Sequence, residues 1–323
     1  MPPAGGWAAS TFSESTKMST TEDRWFHRRG QLARDGWQSV VDATLPGWEH
    51  TGIRIAELAD GEELELTALD VERIIVPLAG SFRVAHHHHP GEWHTRLLGR
   101  TSVFDGPTDV LFLSIGTTAT ISGEGRVAVT EAPTTERREW QYISAEETPI
   151  ELRGAGRSSR QVHNFGTPQA LNAARLIVCE VITPAENWSS YPPHKHDEHH
   201  EGTESRLEEI YYFESAPARV GGNPDAAEGA FGMFSTYSSP AGEIDINAMV
   251  GTGDIALVPY GYHGPAVAAP GYDLYYLNVM AGPDPDRAWL ISDDPAHAWV
   301  RDTWEGQEFD SRLPYENEQK GER

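Results

Sequence analysis

Cysteine is nearly absent. Cys179 is the single thiol, so no disulfide can close within the chain, which fits a reducing, cytoplasmic setting. Its neighbours in LIVCEV make it a small buried hydrophobe. Long apolar runs are also missing: no stretch approaches the ~20 residues that cross a bilayer. Positive charge is scarce. Lys and Arg total 25 against 49 Asp and Glu, a formal net charge of −24. Such a field repels nucleic acid and anionic membranes, so neither is an expected partner. An anionic substrate would be repelled too, and needs an arginine or a bound cation close by. The opening MPPAGGWAASTFSESTKMSTTEDRW has no basic segment leading into an apolar core, so a secretory signal is not expected. Its small polar residues predict a disordered tail over 1–23, with Met18 as an alternative start, and a second disordered tail over 315–323.

Sustained helical periodicity is rare as well. QALNAAR, DRAWLI and AHAWVRDTW are the helical candidates. Short strand-like runs dominate, from GIRIAEL, RIIVPLAGSFRV and DVLFLSI to LEEIYYFE, DIALVPY and YDLYYLNVM. Gly, Pro and Asp punctuate them at short intervals, which predicts an all-β sandwich or barrel. The two halves resemble each other. TDVLFLSIGTT (108–118) aligns with GDIALVPYGYH (253–263), matching Asp109 to Asp254, Gly116 to Gly261 and Thr118 to His263. VERIIVPLAG aligns with the region of EEIYYFE, matching Arg73 to Glu209. Two copies of one β-domain are expected, 24–150 and 151–314, with GAGRSSRQ (154–161) forming a turn near the boundary.

Four histidines fall within seven residues in PPHKHDEHH: His194, His196, His199 and His200. His194 and His196 are two apart, so a strand would aim both at one face. Pro192 and Pro193 fit a strand entrance. In LEEIYYF, alternation puts Glu209, Tyr211 and Phe213 on one face and Glu208, Ile210 and Tyr212 on the other. Far downstream, GDIALVPYGYH is a strand ending in a Pro/Gly turn that delivers His263. His199 and His200 read as exposed loop residues, and the run His86–His89 as a loop after the strand SFRVA.

His-x-His, a Glu opening a strand, and a Pro-x-Gly turn followed by His together resemble the two motifs of the cupin superfamily. The resemblance implies two tandem cupin (double-stranded β-helix, or jelly-roll) barrels with few short helices. It implies a divalent metal held by His194, His196, Glu209 and His263. This chain departs from the usual pattern in a longer His-to-Glu spacing and in one residue, not two, between Gly261 and His263. The first copy has Arg73 and Thr118 at the equivalent places and is expected to hold no metal.

A narrower resemblance follows from NWSSYPPHKHDE, LEEIYYF, VPYGYHGP, NVMAGPDPDRAWL and DSRLP, with VERIIVPLAGSFRV and LLGRTSVFDGPTDVLFL in the first half. Over about residues 24–314 the chain resembles the 5-deoxy-glucuronate isomerase family of inositol catabolism. That implies conversion of 5-deoxy-D-glucuronate to 5-dehydro-2-deoxy-D-gluconate, an aldose–ketose isomerisation through a metal-stabilised enediolate. The ligand set suits Zn, Mn, Fe or Ni without choosing among them. Tyr211, Glu208 and Lys195 are candidates for the base, although alternation turns Lys195 away from the two histidines. Arg160 and Arg175 are candidates for the substrate carboxylate, although Arg160 reads more readily as a surface or interface salt-bridge residue. A cupin Fe(II) dioxygenase and a non-catalytic sugar-binding cupin are the alternatives. A homo-oligomer is compatible with the superfamily.

Overall fold

The computed structural model describes residues 22–88 and 90–316. Met18, most of the expected 1–23 tail, His89 and residues 317–323 lie outside them. The chain is mostly β-strand with few short helices, as its turn-punctuated, alternating sequence predicts. Eight strands between Ser39 and Ile143 form one sheet. A seven-stranded sheet runs in the order Phe26–His27, Ile255–Val258, Glu208–Pro217, Tyr272–Ala281, Ile177–Thr183, Arg160–Gly166, Ile150–Arg153. A six-stranded sheet takes Gly242–Val250, Gly232–Ser239, Tyr262–Ala268, His194–Lys195 and Ser292–Asp293, with Trp188–Ser189 beside Tyr262–Ala268.

The internal repeat is visible in the pairing. Arg73, Ile74 and Ile75 stand opposite Leu113, Phe112 and Leu111. Glu209, Ile210 and Tyr211 stand opposite Val258, Leu257 and Ala256. The two registers superpose at the offsets read from the sequence. One strand of the first half crosses over. Phe26 and His27 pair with Ala256 and Ile255 in the second half's sheet. Gln141–Ile143 pairs with Phe112, Leu111 and Val110 in the first half's sheet.

All of Glu208–Ser215 is buried. One face points inward, and the other packs with Ile74, Val76 and Leu78 of the first half in one hydrophobic cluster that also holds Ile210 and Tyr212. The first half's own interior is a separate apolar cluster including Ile75, Phe82, Val84, Leu97 and Leu113. Two glutamates tie the halves reciprocally. Glu72 accepts backbone N–H bonds from Ala174, Arg175 and Leu176 at 2.6–2.7 Å. Its counterpart Glu208 accepts them from Glu49 (2.9 Å) and His50 (2.7 Å).

Several expectations need correction. QALNAAR and DRAWLI are irregular, and only Ala298–Trp304 forms a short 3-10 helix. Tertiary contacts override propensity here: the N–H groups of 174–176, which a helix would need, go to Glu72. His86–His88 are not in a loop but end the strand Val71–His88. The His86 ring is buried against Trp93 and Trp140 at 5.8 and 5.0 Å. Tyr315, assigned to a disordered tail, is buried; its hydroxyl donates to Asp273 at 2.8 Å and its N–H to Gln161. Glu22 and Asp23 belong to a one-turn helix, Glu22–Trp25.

Candidate metal centre and its cavity

Three backbone segments bring the imidazoles together. His194 pairs directly with His263 across neighbouring strands. His196 follows two residues on, and Glu209 enters from the strand Glu208–Pro217 of the other sheet. His196, Glu209 and His263 each offer a ligand atom, all within 4.8 Å of one another and all buried. The His194 ring lies outside that trio of atoms but beside it, its centroid 4.5 Å from His263 and 6.3 Å from His196. The four residues expected from the motif therefore meet in one place.

Hydrogen bonding orients the rings. Nδ1 of His194, His196 and His263 faces the carbonyl oxygens of Pro192, Leu207 and Gly261 at 3.1–3.2 Å. A carbonyl can only accept, so each Nδ1 carries the hydrogen, and each neutral ring presents a lone pair at Nε2. His196 Nε2 and His263 Nε2 then lie 2.9 and 3.0 Å from the same oxygen of Glu209. Lone pairs facing a carboxylate oxygen at that range require a shared cation, either a proton or a metal ion. His263 Nε2 is buried without a hydrogen-bond partner. Two nitrogens facing one carboxylate, with the His194 ring beside them and all three rings steered from behind by backbone carbonyls, fit a divalent ion. Burial, then the neighbouring His263 and His196, holds His194 well below the usual imidazole range. Burial pushes Glu209 up, but the adjoining His196 and His263 rings outweigh it and hold the carboxyl well below its usual range.

The centre opens into a cavity of about 210 Å³, lined among others by His194, Glu209, Tyr211, Ser190, Tyr276 and Asn278. Three arginines, Arg153, Arg160 and Arg301, share its wall with Trp289 and Ile291. Tyr211 and Tyr276 each hydrogen-bond the Ser190 hydroxyl, at 3.1 and 3.2 Å. Burial raises the Tyr211 phenol well above its normal range, so its hydroxyl keeps the proton at neutral pH.

Of the other candidates, Arg160 is in the cavity and three are not. Glu208 turns away, as alternation demands, to cap the backbone of Glu49 and His50. Lys195 also turns away; its ammonium is held by Asp197 (2.7 Å), Glu198 and Glu204 (both 2.8 Å). Arg175 sits where the halves meet, donating to the Asp284 carbonyl at 2.5 Å. Glu208, Lys195 and Arg175, expected as bases and as a substrate clamp, thus do not line the cavity. His199 and His200 are exposed, as expected. Arg153, Arg301, Asn278 and Trp289 escaped the sequence analysis. LRGAGRSSRQ carried a signal for the first: read as a hairpin, it sets Arg153 opposite Arg160, which is the observed pair. Arg301, Asn278 and Trp289 arrive from distant segments, and no local pattern marks them.

In the first half, Arg73 occupies the position of Glu209. Its Nε donates to Glu131 at 2.8 Å, and its Nη1 to the carbonyls of Thr67 and Thr117. A guanidinium has no lone pair for a metal, and here three of its N–H donors are engaged in structural bonds.

The model of the KduI/IolB family matches residues 25–300. The 5-deoxy-glucuronate isomerase of Geobacillus thermodenitrificans is 37% identical over 260 residues, covering 80% of this chain and 88% of that protein. The enzyme of the same name from Bacillus subtilis strain 168 is 36% identical over 250 residues, 76% of this chain and 86% of that protein. An IolB-like protein from Salmonella typhimurium LT2 superposes with a TM-score of 0.74 at 32% identity, over 85% of this chain and 98% of that one. Bacillus subtilis oxalate decarboxylase shares the fold, with a TM-score of 0.55 at 11% identity, over 83% of this chain and 79% of that one.

Proposed function

The chain belongs to the KduI/IolB family, and on that premise we propose that it is a metal-dependent isomerase converting 5-deoxy-D-glucuronate to 5-dehydro-2-deoxy-D-gluconate. The observation that carries this reading is the convergence of His196, His263 and Glu209 on one point, with Nε2 lone pairs turned toward a carboxylate oxygen. His194, His196, Glu209 and His263 would hold the ion. A divalent cation there supplies Lewis-acid stabilisation of the negative charge that grows on the sugar oxygens as the C2 proton leaves. The chain's own groups do the rest. The Tyr211–Ser190–Tyr276 hydroxyl group offers hydrogen bonds to sugar oxygens. The apolar walls of Val162, Val181 and Ile291 narrow the space left for water. In the overall reaction a proton leaves C2 and one is added at C1, so the aldehyde becomes a hydroxymethyl group and the C2 alcohol a ketone.

The reading extends to architecture. Two tandem cupin barrels, over 24–150 and 151–314, would share the central apolar cluster, with only the second holding metal. The paired registers of the two halves support this. So does the Arg73–Glu131 ion pair in place of a ligand. Among the described residues no helix is long and apolar enough to cross a membrane, which is compatible with work in the cytoplasm. A homo-oligomer is compatible with this architecture.

The test is to incubate the purified protein, stripped of metal and then reconstituted, with 5-deoxy-D-glucuronate under anaerobic conditions. Proton NMR should show the aldehyde signal decaying only in the reconstituted sample. A requirement for oxygen would favour dioxygenase chemistry. Tight binding without conversion would favour a sugar-binding protein.

A further inference from the structure

The cavity wall opposes like charges. Arg153 and Arg160 are direct cross-strand partners in the hairpin Ile150–Arg153/Arg160–Gly166. Like charges placed opposite each other on a sheet destabilise it, and Arg301 adds a third guanidinium to the same wall. Two of the three are neutralised. Arg153 makes a two-point contact with Glu151 at 2.9 and 2.7 Å. Arg301 makes one with Asp293, the strand neighbour of His194.

Arg160 differs. It is 5% exposed, the most deeply buried of the three. Among the described residues its one hydrogen bond runs from Nη1 to the Ser158 carbonyl at 3.0 Å, and no carboxylate pairs with it. The Trp304 ring lies 5.7 Å from its guanidinium carbon. Burial lowers its pKa to about 10, which still leaves it cationic at neutral pH. A guanidinium has five N–H donors, and a buried cation lacking its counter-charge is costly. A second open donor lies in the same cavity: Asn278 Nδ2 is buried without a partner. The turn beside Arg160 is made for this placement. Gly154 has φ +82°, and a Cβ there would come 2.1 Å from the Ser158 carbonyl oxygen and 2.7 Å from Arg160 Nη1.

We propose that Arg160 receives the carboxylate of the substrate, with Asn278 donating to a neighbouring sugar oxygen, and that this contact selects sugar acids over neutral sugars. Arg153 and Arg301 are positioning residues: each holds its own carboxylate, Glu151 and Asp293, in a two-point contact, which leaves Arg160 without a salt-bridge partner. The inference rests on the isomerase reading for the identity of the sugar, but not for the presence of an anion site. It also resolves the problem posed by a net charge of −24, since the attraction for an anion is local and buried.

The experiment compares wild type and Arg160→Gln on 5-deoxy-D-glucuronate and on 5-deoxy-D-glucose, in which a hydroxymethyl group replaces the carboxylate. The variant should lose about 100-fold in kcat/KM on the acid, mostly in KM, as expected when one partner of a desolvated charge pair is removed. Its activity on the neutral sugar and its metal content should stay near wild type. An acid-over-neutral preference unchanged to within about threefold in the variant overturns the proposal. A separate calorimetric titration with D-gluconate, which has no aldehyde, should show binding to wild type and loss of it in Arg160→Gln. Gluconate binding of that kind without any isomerisation would sink the function and leave the anion site standing. Equal gluconate binding by both proteins sinks the anion site alone. Should Arg160→Gln not fold, Arg160→Lys keeps the charge but not the two-point geometry. It should raise KM for the acid about tenfold, and an unchanged KM overturns the proposal. Arg157→Gln, on the exposed side of the same turn, is the control.

Discussion

Glu208 and Glu209 are chemically identical neighbours with different work to do. Strand alternation sends Glu209 to the histidines and Glu208 to the backbone of Glu49 and His50. Lys195, between two histidines of the centre, is turned outward in the same way into three carboxylates. Replacing His196 with Ala should drop bound metal well below one per chain, by elemental analysis, and abolish turnover. Glu208→Gln should keep metal and kcat and lose roughly 1–3 kcal/mol of stability in urea melts, since two buried N–H groups lose a charged acceptor. Full metal loss in Glu208→Gln would mean that the two roles had been exchanged. The ligand residues were legible in the sequence because local spacing and alternation determine their direction. Arg175 was misjudged because its environment depends on Glu72, a hundred residues upstream, and on Asp284.

At the scale of elements, the strand that crosses between the halves is the feature with most mechanical consequence. Phe26–His27 closes the edge of the second half's sheet beside Ile255–Val258. That strand neighbours the one carrying Glu209. An unpaired edge there would be open to aggregation. Trp25 and Phe26 are 3% and 5% exposed and belong to the cluster that joins the halves. Phe26→Ala should cost about 3–5 kcal/mol and lower the thermal midpoint, while metal per folded chain stays unchanged. A stability loss near zero would mean that this segment is not held in the sheet. The sequence showed RWFH (24–27) only as the start of the first half. So short a segment cannot reveal which distant edge will accept it, because pairing partners are set by the completed sheet.

For the whole molecule, the halves are bolted together by buried charge as well as by apolar packing. Arg100 of the first half grips Glu180 of the second at 2.7 and 2.6 Å, with both side chains fully buried. His163 and Tyr275 complete the shell of Glu180 at 2.6 and 2.8 Å. Burial alone would raise the Glu180 carboxyl, but Arg100 and the hydrogen bond with His163 outweigh it and take the pKa from 4.5 to about 2. A folded pKa below the unfolded one favours the native state above the unfolded value. The contribution, on the order of 3 kcal/mol, is present in full at neutral pH and fades as pH falls from about 4.5 toward 2. Urea midpoints measured from about pH 6 to pH 3 should therefore fall more steeply for wild type than for Glu180→Gln. Parallel curves would show that Glu180 is not linked to folding.

The sequence by itself determined the all-β character, the matching strand pairs of the two halves, the meeting of His194, His196, Glu209 and His263, and the arginine at the counterpart position of Glu209. Each of these is written in short-range pattern: period-two alternation, turn residues and motif spacing act over a few neighbouring residues. Only the tertiary structure decided which candidates share a cavity, that Arg160 is a buried cation without a carboxylate, and that Asn278 and Arg301 join it. It also decided that Phe26–His27 joins the other half's sheet and that the halves clasp each other through Glu72 and Glu208. Those outcomes depend on which strands become neighbours and on how much water is excluded between them, and neither quantity exists until the sheets have assembled.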